Sequence, residues 1–332
     1  MAITLAEAKV GMADKVDQQV IDTFRRSSLL LDMLTFDNSI SPGTGGSTLA
    51  YGYIQLKTPS TAAVRALNTE YTAGEAKREE KTAKAVIMGG SFEVDRVLQN
   101  TSGAVDELAF QAQQKIKATA NYFHNLVING TSASSGTGYV VNTFDGLRKA
   151  LTGTSNDFTT DIDLSDSTNL DSNANAFVDQ LDQLTHMVDG GASLLLMNTA
   201  MLLKVRAAAR RAGYYDRKKD DFGRAVEYFG DIPIMDAGMY YNGTKSVDVI
   251  DTSTPSASVA GTSSIYAVNI ALDGFHGISP TGTGVINSYM PDLKAPGAVK
   301  KGEVELVAGV VLKNTLKAAA LNGIALKAKT SV

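Results

Sequence analysis

Between two runs rich in strand formers lies a stretch that cannot bury itself on its own body. Leu49-Ala-Tyr-Gly-Tyr-Ile-Gln-Leu56 reads as a strand, and residues 83–98 read as strand again, with Phe92 and Val94 alternating against Glu93 and Asp95. From Lys57 to Thr82 the main large apolar residues are Val64, Leu67 and Tyr71, and the end is densely charged: Glu75, Lys77, Arg78, Glu79, Glu80 and Lys81. A loop of this length is uncommon inside a compact domain and is usually functional or disordered. A solvated, disordered loop is one reading. The other is a two-stranded arm lying on a partner, where its apolar residues and charges find complements. Lys57, Arg65, Glu75, Lys77, Arg78, Glu79, Glu80 and Lys81 are then the candidate contacts between subunits.

The rest of the chain is ordinary material for a large core. With 332 residues, 44% of them apolar, it needs no disulfide or metal staple. Residues 1–40 read as a helix-prone arm, with Val16, Val20, Phe24, Leu30, Leu31 and Leu34 at near-helical spacing, ended by Ser41-Pro-Gly-Thr-Gly-Gly46. Val105, Leu108, Ala109, Ala112, Ile116, Ala120, Phe123 and Val127 mark one stripe of a long helix over Val105–Asn129, with Asn129-Gly130 as its C-terminal cap. Phe177, Leu181, Leu184 and Val188 predict an amphipathic helix closed by Gly190-Gly191. Ser193-Leu-Leu-Leu-Met197 reads as a buried strand, and Asn198 is placed to cap a helix from Thr199 to Ala212. Beyond it, Val226–Met235, Val247–Ile250, Ile265–Ala271 and Val285–Met290 are strand-like. In Glu303–Lys313, apolar Val304, Leu306, Val310 and Leu312 occupy one face of a half-buried antiparallel strand. The order predicts an α+β protein with an α/β layer in its middle.

The search for chemistry returns exclusions. No cysteine is present, which removes disulfides, thiolate catalysis and Cys-ligated metals. His124, His186 and His276 form no local ligand pair, and no Gly-Lys dipeptide exists for a phosphate loop. In the run Asp161-Ile-Asp163-Leu-Ser165-Asp166, acids at alternating positions 161 and 163 suggest a calcium loop, but its glycine and closing glutamate are lacking, so a solvated acidic loop is expected. No catalytic residue, cofactor or metal is assigned. The N-terminus has no signal-peptide pattern, and the most apolar stretch falls short of the ~20 residues of a membrane helix. These features predict a soluble chain that is made in the cytoplasm and has no membrane partner.

Charge is uneven. Ala150–Leu203 holds no Lys or Arg, whereas Lys204–Arg224 holds eight basic residues against three acids. Arg217, Lys218 and Lys219 within it are further candidate contacts, read as a subunit contact or solvated loop in preference to a nucleic-acid site. A net charge of −4 speaks against a dedicated nucleic-acid binder.

This ordering resembles the major capsid protein of tailed double-stranded DNA bacteriophages. The stretches that carry the likeness are the charged hairpin Lys57–Thr82, the helix Val105–Asn129 and Leu194-Leu-Leu-Met-Asn198 followed by a helix. They continue with Phe229-Gly-Asp-Ile-Pro-Ile-Met235, Ser264-Ile-Tyr-Ala-Val268 and Val307-Ala-Gly-Val-Val-Leu312, and end at Ala318-Ala-Ala-Leu-Asn-Gly-Ile324. The resemblance implies an N-terminal arm (1–46), an extended hairpin loop with flanking strands (47–98) and a spine helix with a peripheral domain (99–139). It also implies an axial domain (140–265) and a return to the peripheral domain (266–332). It further implies hexamers and pentamers closing an icosahedral shell around the genome in the host bacterial cytoplasm. A separate scaffolding protein, a portal protein, a possible decoration protein and non-specific contact with packaged DNA would be the partners. An encapsulin-like compartment shares this fold, and a soluble hydrolase with a dispersed active site is the reading from a different class.

Overall fold

The computed structural model describes residues 30, 33–40, 49–58, 60–101, 106–212, 216–219, 225–280 and 286–330. The predicted arm helix falls almost entirely outside these residues, as do the Ser41–Gly46 stop and most of Gly213–Gly223. In chain order the first elements are β1 (Phe36–Ile40), β2 (Ala50–Thr58), β3 (Lys77–Lys84), β4 (Val86–Asp95), α1 (Arg96–Thr101) and α2 (Glu107–Asn129). The middle follows with α3 (Leu147–Leu151), β5 (Asp157–Thr159), α4 (Ser167–His186), β6 (Leu194–Met197), α5 (Thr199–Ala212), β7 (Asp216–Lys219), β8 (Ala225–Phe229) and β9 (Ile232–Asp236). The last are β10 (Met239–Tyr241), β11 (Ser246–Asp248), β12 (Gly261–Val268), β13 (Phe275–Pro280), β14 (Ile286–Tyr289), β15 (Val299–Leu312) and β16 (Ala318–Lys327). No helix among the described residues is long and apolar enough to cross a membrane.

The central layer is a seven-stranded mixed sheet in the order β5-β16-β12-β6-β9-β8-β7. Strand β6 explains its unbroken apolar run, because helices and strands cover both of its faces. Leu195 and Met197 join Phe177, Leu181 and Leu184 of α4 and Met201, Val205 and Ala208 of α5. Leu194 and Leu196 point the other way, into a core with Phe123, Leu126 and Val127 of α2 and Leu147 and Leu151 of α3. That second core continues into the peripheral sheet through Met88, Phe275, Leu306, Ala308 and Val310. The C-terminal half of α2 is therefore the joint between two sheets.

The peripheral sheet is organised by β15. It pairs with β4 over ten residue positions, from Val299↔Asp95 to Ala308↔Val86, and also takes β14 and β13, with β1 parallel to β13. The apolar alternation of β15 holds as far as Ala308, but Gly309–Leu312 are buried on both faces, because this end of the strand pairs with β13 under the hairpin root. Phe92, Val94 and Val304 pack on Leu108, Ala112 and Ile116 of α2. Asp106 caps this helix by accepting from the Ala109 amide at 3.2 Å, which starts it at Glu107 rather than Val105. Gly130 ends it, though not through a left-handed turn: its φ is −66°. A Cβ there would lie 2.6 Å from the carbonyl oxygens of Leu126 and Phe144, so the glycine serves close approach of two backbones.

Other departures have similarly local causes. Lys77–Thr82 is strand rather than loop, since pairing with β2 supplies the backbone bonds that its composition hides. The expected strand stops at Asp95, and Arg96–Leu98 open the short helix α1 instead. Strand β13, Phe-His-Gly-Ile-Ser-Pro, carries no alternation because all six residues are buried. In the acidic run, Asp166 caps α4 by accepting from the Asn169 amide at 2.8 Å, and Asp163 accepts from the Ser165 amide at 2.8 Å.

Asn198 is the cap that the sequence predicts, and it does more than cap. Its Oδ1 accepts from the Met201 amide at 2.8 Å, while its Nδ2 donates to the Ile250 carbonyl at 2.9 Å, to Ser263 Oγ at 3.0 Å and to Thr252 Oγ1 at 3.1 Å. The residue is fully buried. Asn198→Ala leaves those groups unsatisfied and costs about 3 kcal/mol. Asn198→Asp keeps the cap but sets a buried charge against the Ile250 carbonyl, so in urea unfolding it is destabilised at least as much.

His124, buried on α2, has its pKa pushed down to about 4 by burial. The unfolded chain takes up its proton near pH 6.5 and the native chain only near 4, so native stability is complete above 6.5 and declines between those values. Calorimetry of wild type against His124→Gln from pH 7 to pH 4 is expected to show the wild-type advantage shrinking across that window.

Candidate assembly interface

Strands β2 and β3 form a hairpin paired from Ala50↔Lys84 to Thr58↔Lys77, with a register shift after Leu56↔Arg78. Directly opposed residues share a face, so Tyr53 and Gln55 lie beside Lys81 and Glu79, and Ile54 beside Glu80. The β3 charges thus oppose uncharged residues in the ladder. Every residue from 60 to 82 is exposed. In the loop beyond the strands, the Thr69 amide and hydroxyl both donate to the Ala66 carbonyl, with Asn68 at φ 62°. Arg65 donates to the Thr69 carbonyl at 3.2 Å and lies 5.4 Å over the Tyr71 ring. Val64 is 100% exposed, Leu67 90%, Tyr71 63% and, on the stem, Ile54 66%.

Among the described residues, the apolar packing of the hairpin on the body is at its root. There Leu49, Tyr51, Tyr53 and Ala83 pack on Ile40, Ala85, Ile278 and Val311. The Tyr51 hydroxyl donates to Asp37 Oδ2 at 2.9 Å, and the Lys313 ammonium lies 5.3 Å from its ring. Burial, and then the charge of Asp145, push the Tyr53 phenol up. Sequence reasoning did not find this root, because Asp37, Tyr51, His276 and Lys313 are scattered along the chain and none belongs to a motif.

The predicted contact residues fall into two separate groups. Arg65, Glu75, Lys77, Arg78, Glu79, Glu80 and Lys81 are all exposed on the hairpin, and Lys57 lies in β2. Arg217, Lys218 and Lys219 lie in β7, the outermost strand of the seven-stranded sheet, opposite Glu227, Val226 and Ala225. The side chains of Lys57, Arg217, Lys218 and Lys219 lie outside the described residues. A basic outer strand discourages unwanted edge pairing.

A polar cavity of about 480 Å³ lies where α2, α3, β12 and β16 meet, lined in part by Tyr139, Arg148, Asp157, Asp251, Tyr266 and Asn322. Its groups brace the fold. Arg148 stacks on Tyr139 at 5.0 Å and donates to the Gly138 carbonyl, and Asp157 accepts from Asn322 at 2.6 Å. Burial drives the Tyr266 phenol up to about 12, so it stays protonated at neutral pH.

An exposed, mixed-charge arm is thus rooted on a body built from two large sheets. Residues 9–262 match the family model of the SU10 major capsid protein. The chain belongs to that family. Among solved structures, the SrpI encapsulin of Synechococcus elongatus PCC 7942 aligns over 100% of this chain and 99% of its own, at TM-score 0.65 and 12% identity. A chain of Mycobacterium phage Adephagia aligns over 99% of both, at TM-score 0.56 and 13% identity. The capsid chain of a native GTA particle aligns over 94% of both, at 0.54 and 12%. A search of curated proteins by sequence gives no match. The α+β architecture is the tailed-phage capsid fold, and the major capsid protein described here is a structural component of the virion capsid, not an enzyme.

Proposed function

We propose that this capsid protein assembles as hexamers and pentamers into an icosahedral shell enclosing the phage genome, with the β2–β3 hairpin of each copy lying across an adjacent copy. The observation that carries this reading is the hairpin itself: residues 60–82 are all exposed, yet include Val64, Leu67 and Tyr71. Exposed apolar side chains on an arm that packs on its own body at the root become buried when a neighbour covers them. In this reading the boundaries 1–46, 47–98, 99–139, 140–265 and 266–332 separate arm, hairpin, spine, axial and return segments. Assembly takes place in the host bacterial cytoplasm with a separate scaffolding protein and a portal protein, and a decoration protein is a further partner. Contact with packaged DNA is non-specific and weak, as suits a chain of net charge −4.

The test is size-exclusion chromatography and negative-stain microscopy of the chain alone and co-expressed with its scaffolding partner. Closed particles or uniform rings support the reading, and a monodisperse monomer or dimer under both conditions overturns it. The full-length alignment with an encapsulin supports a second reading, a compartment around protein cargo. Nuclease-protected DNA within purified particles selects the virion, and copurified protein selects the compartment.

A further inference from the structure

Neither ring nitrogen of His276 makes a well-aligned hydrogen bond, the Gly274 carbonyl offering only a weak polar contact, although the residue is fully buried in β13. Buried polar groups nearly always find one, and leaving one without is a cost to the fold. The place where that cost is accepted is specific. Residues 276 and 278 share the face of β13 turned to the hairpin root, where Ile278 packs with Ile40, Ala85 and Val311. The imidazole meets the Tyr51 ring edge-on at 6.0 Å. Tyr51 is the residue that ties β2 to Asp37 of β1 and lies under the ammonium of Lys313, just past β15. The ionisable groups around His276 are therefore Tyr51 from β2, Asp37 from β1, Lys313 after β15 and Asp273 before β13.

We propose that His276 is an acid-sensitive latch: neutral, it seals the hairpin root through Tyr51, and protonated, it must reach water and so releases β2–β3 from the peripheral sheet. Burial first, then the Lys313 charge, hold its pKa below the usual histidine value, while the Gly274 carbonyl, Asp37 and Asp273 pull it up without offsetting them. A released root exposes the ring and returns it toward 6.5. The open form then binds the proton better, so the sealed form has its full advantage above pH 6.5 and loses it as pH falls from there toward the depressed value. The lever is long. A nine-residue strand spans ~30 Å, so a tilt of about 10° at the root moves the far end by ~5 Å. This inference rests on the geometry of one chain and does not require shell assembly.

The chain has no cysteine, so two spin labels can be placed cleanly on the unassembled full-length protein, at Ala63→Cys in the hairpin and Lys149→Cys on α3. Electron–electron distance measurements from pH 7.5 to pH 5.0 are expected to show the distribution shifting or broadening by ~5 Å, with a midpoint below 6.5. His276→Gln and His276→Phe, which cannot titrate, hold the pH 7.5 distribution throughout, and His124→Gln behaves as wild type. An invariant wild-type distribution overturns the latch, and so does the same shift in either His276 variant. A His276 variant already open at pH 7.5 also counts against it, since shape and not charge would then seal the root. Should one variant fail to fold, the other and the wild-type titration still decide.

Discussion

Replacing residues 59–76 with Asn-Gly yields a chain that folds and melts as wild type but closes no shell. The expectation has two independent parts. Residues 60–76 are all exposed and, among the described residues, the hairpin packs on the body through Leu49, Tyr51, Tyr53 and Ala83, so shortening it removes none of these core contacts. Asn-Gly is the preferred two-residue connection for an antiparallel pair, and β2 and β3 supply that pair from Ala50↔Lys84 to Thr58↔Lys77. The melting temperature should stay within about 2 °C of wild type, the scale of a surface change below 0.5 kcal/mol. Assembly loses Val64, Leu67, Tyr71 and the Arg65 contact at once, and negative-stain fields that show closed particles for wild type should show none. Closed particles from the shortened chain would refute the role given to the hairpin. A chain that melts well below wild type would instead show that these residues serve the single fold.

The second large effect is expected at the joint between the two sheets. Phe123 is fully buried, its ring centroid 6.5 Å from that of Phe36 and 6.1 Å from that of Phe144, in the core that joins Met88 and Leu306 to Leu194 and Leu196. Phe123→Ala removes most of an aromatic side chain where neighbours from both sheets cannot all collapse inward. The loss is ~3–5 kcal/mol, which lowers the melting temperature by roughly 6–10 °C in a protein of this size. Tyr122→Ala, one position along the same helix and partly exposed, should cost less than about 1 kcal/mol. Urea unfolding followed by circular dichroism measures both. Equal losses would mean that α2 is held by its length along the peripheral sheet and not by this joint.

What could be read from the residues follows from how local each signal is. The stripe of α2, the Asn198 cap of α5 and the alternation of β15 as far as Ala308 each depend on neighbours within a few positions, and the structure shows all three. The hairpin was legible because a charged segment between two strands has nowhere to go on its own body, although its charged end turned out to be strand. Strand β13 was not legible: burial on both faces erases alternation, and its histidine, glycine and proline point to a loop. Gly277 is there because a Cβ would lie 2.6 Å from the Phe36 ring, a constraint that exists only once β1 pairs beside it.

The sequence by itself determined the strongly periodic elements, among them α2, α4, α5 and β6, the faces the helices bury, and that one long arm is left over. The tertiary structure alone decided which strands are neighbours: β16, last in the chain, lies between β5 and β12, and β1 lies parallel to β13 some 240 residues later. It also decided that His276 and Tyr51 meet at the hairpin root. The physical reason is that periodicity specifies the direction in which a side chain points but not what waits there, and pairing between distant segments is selected by the packing of the whole core.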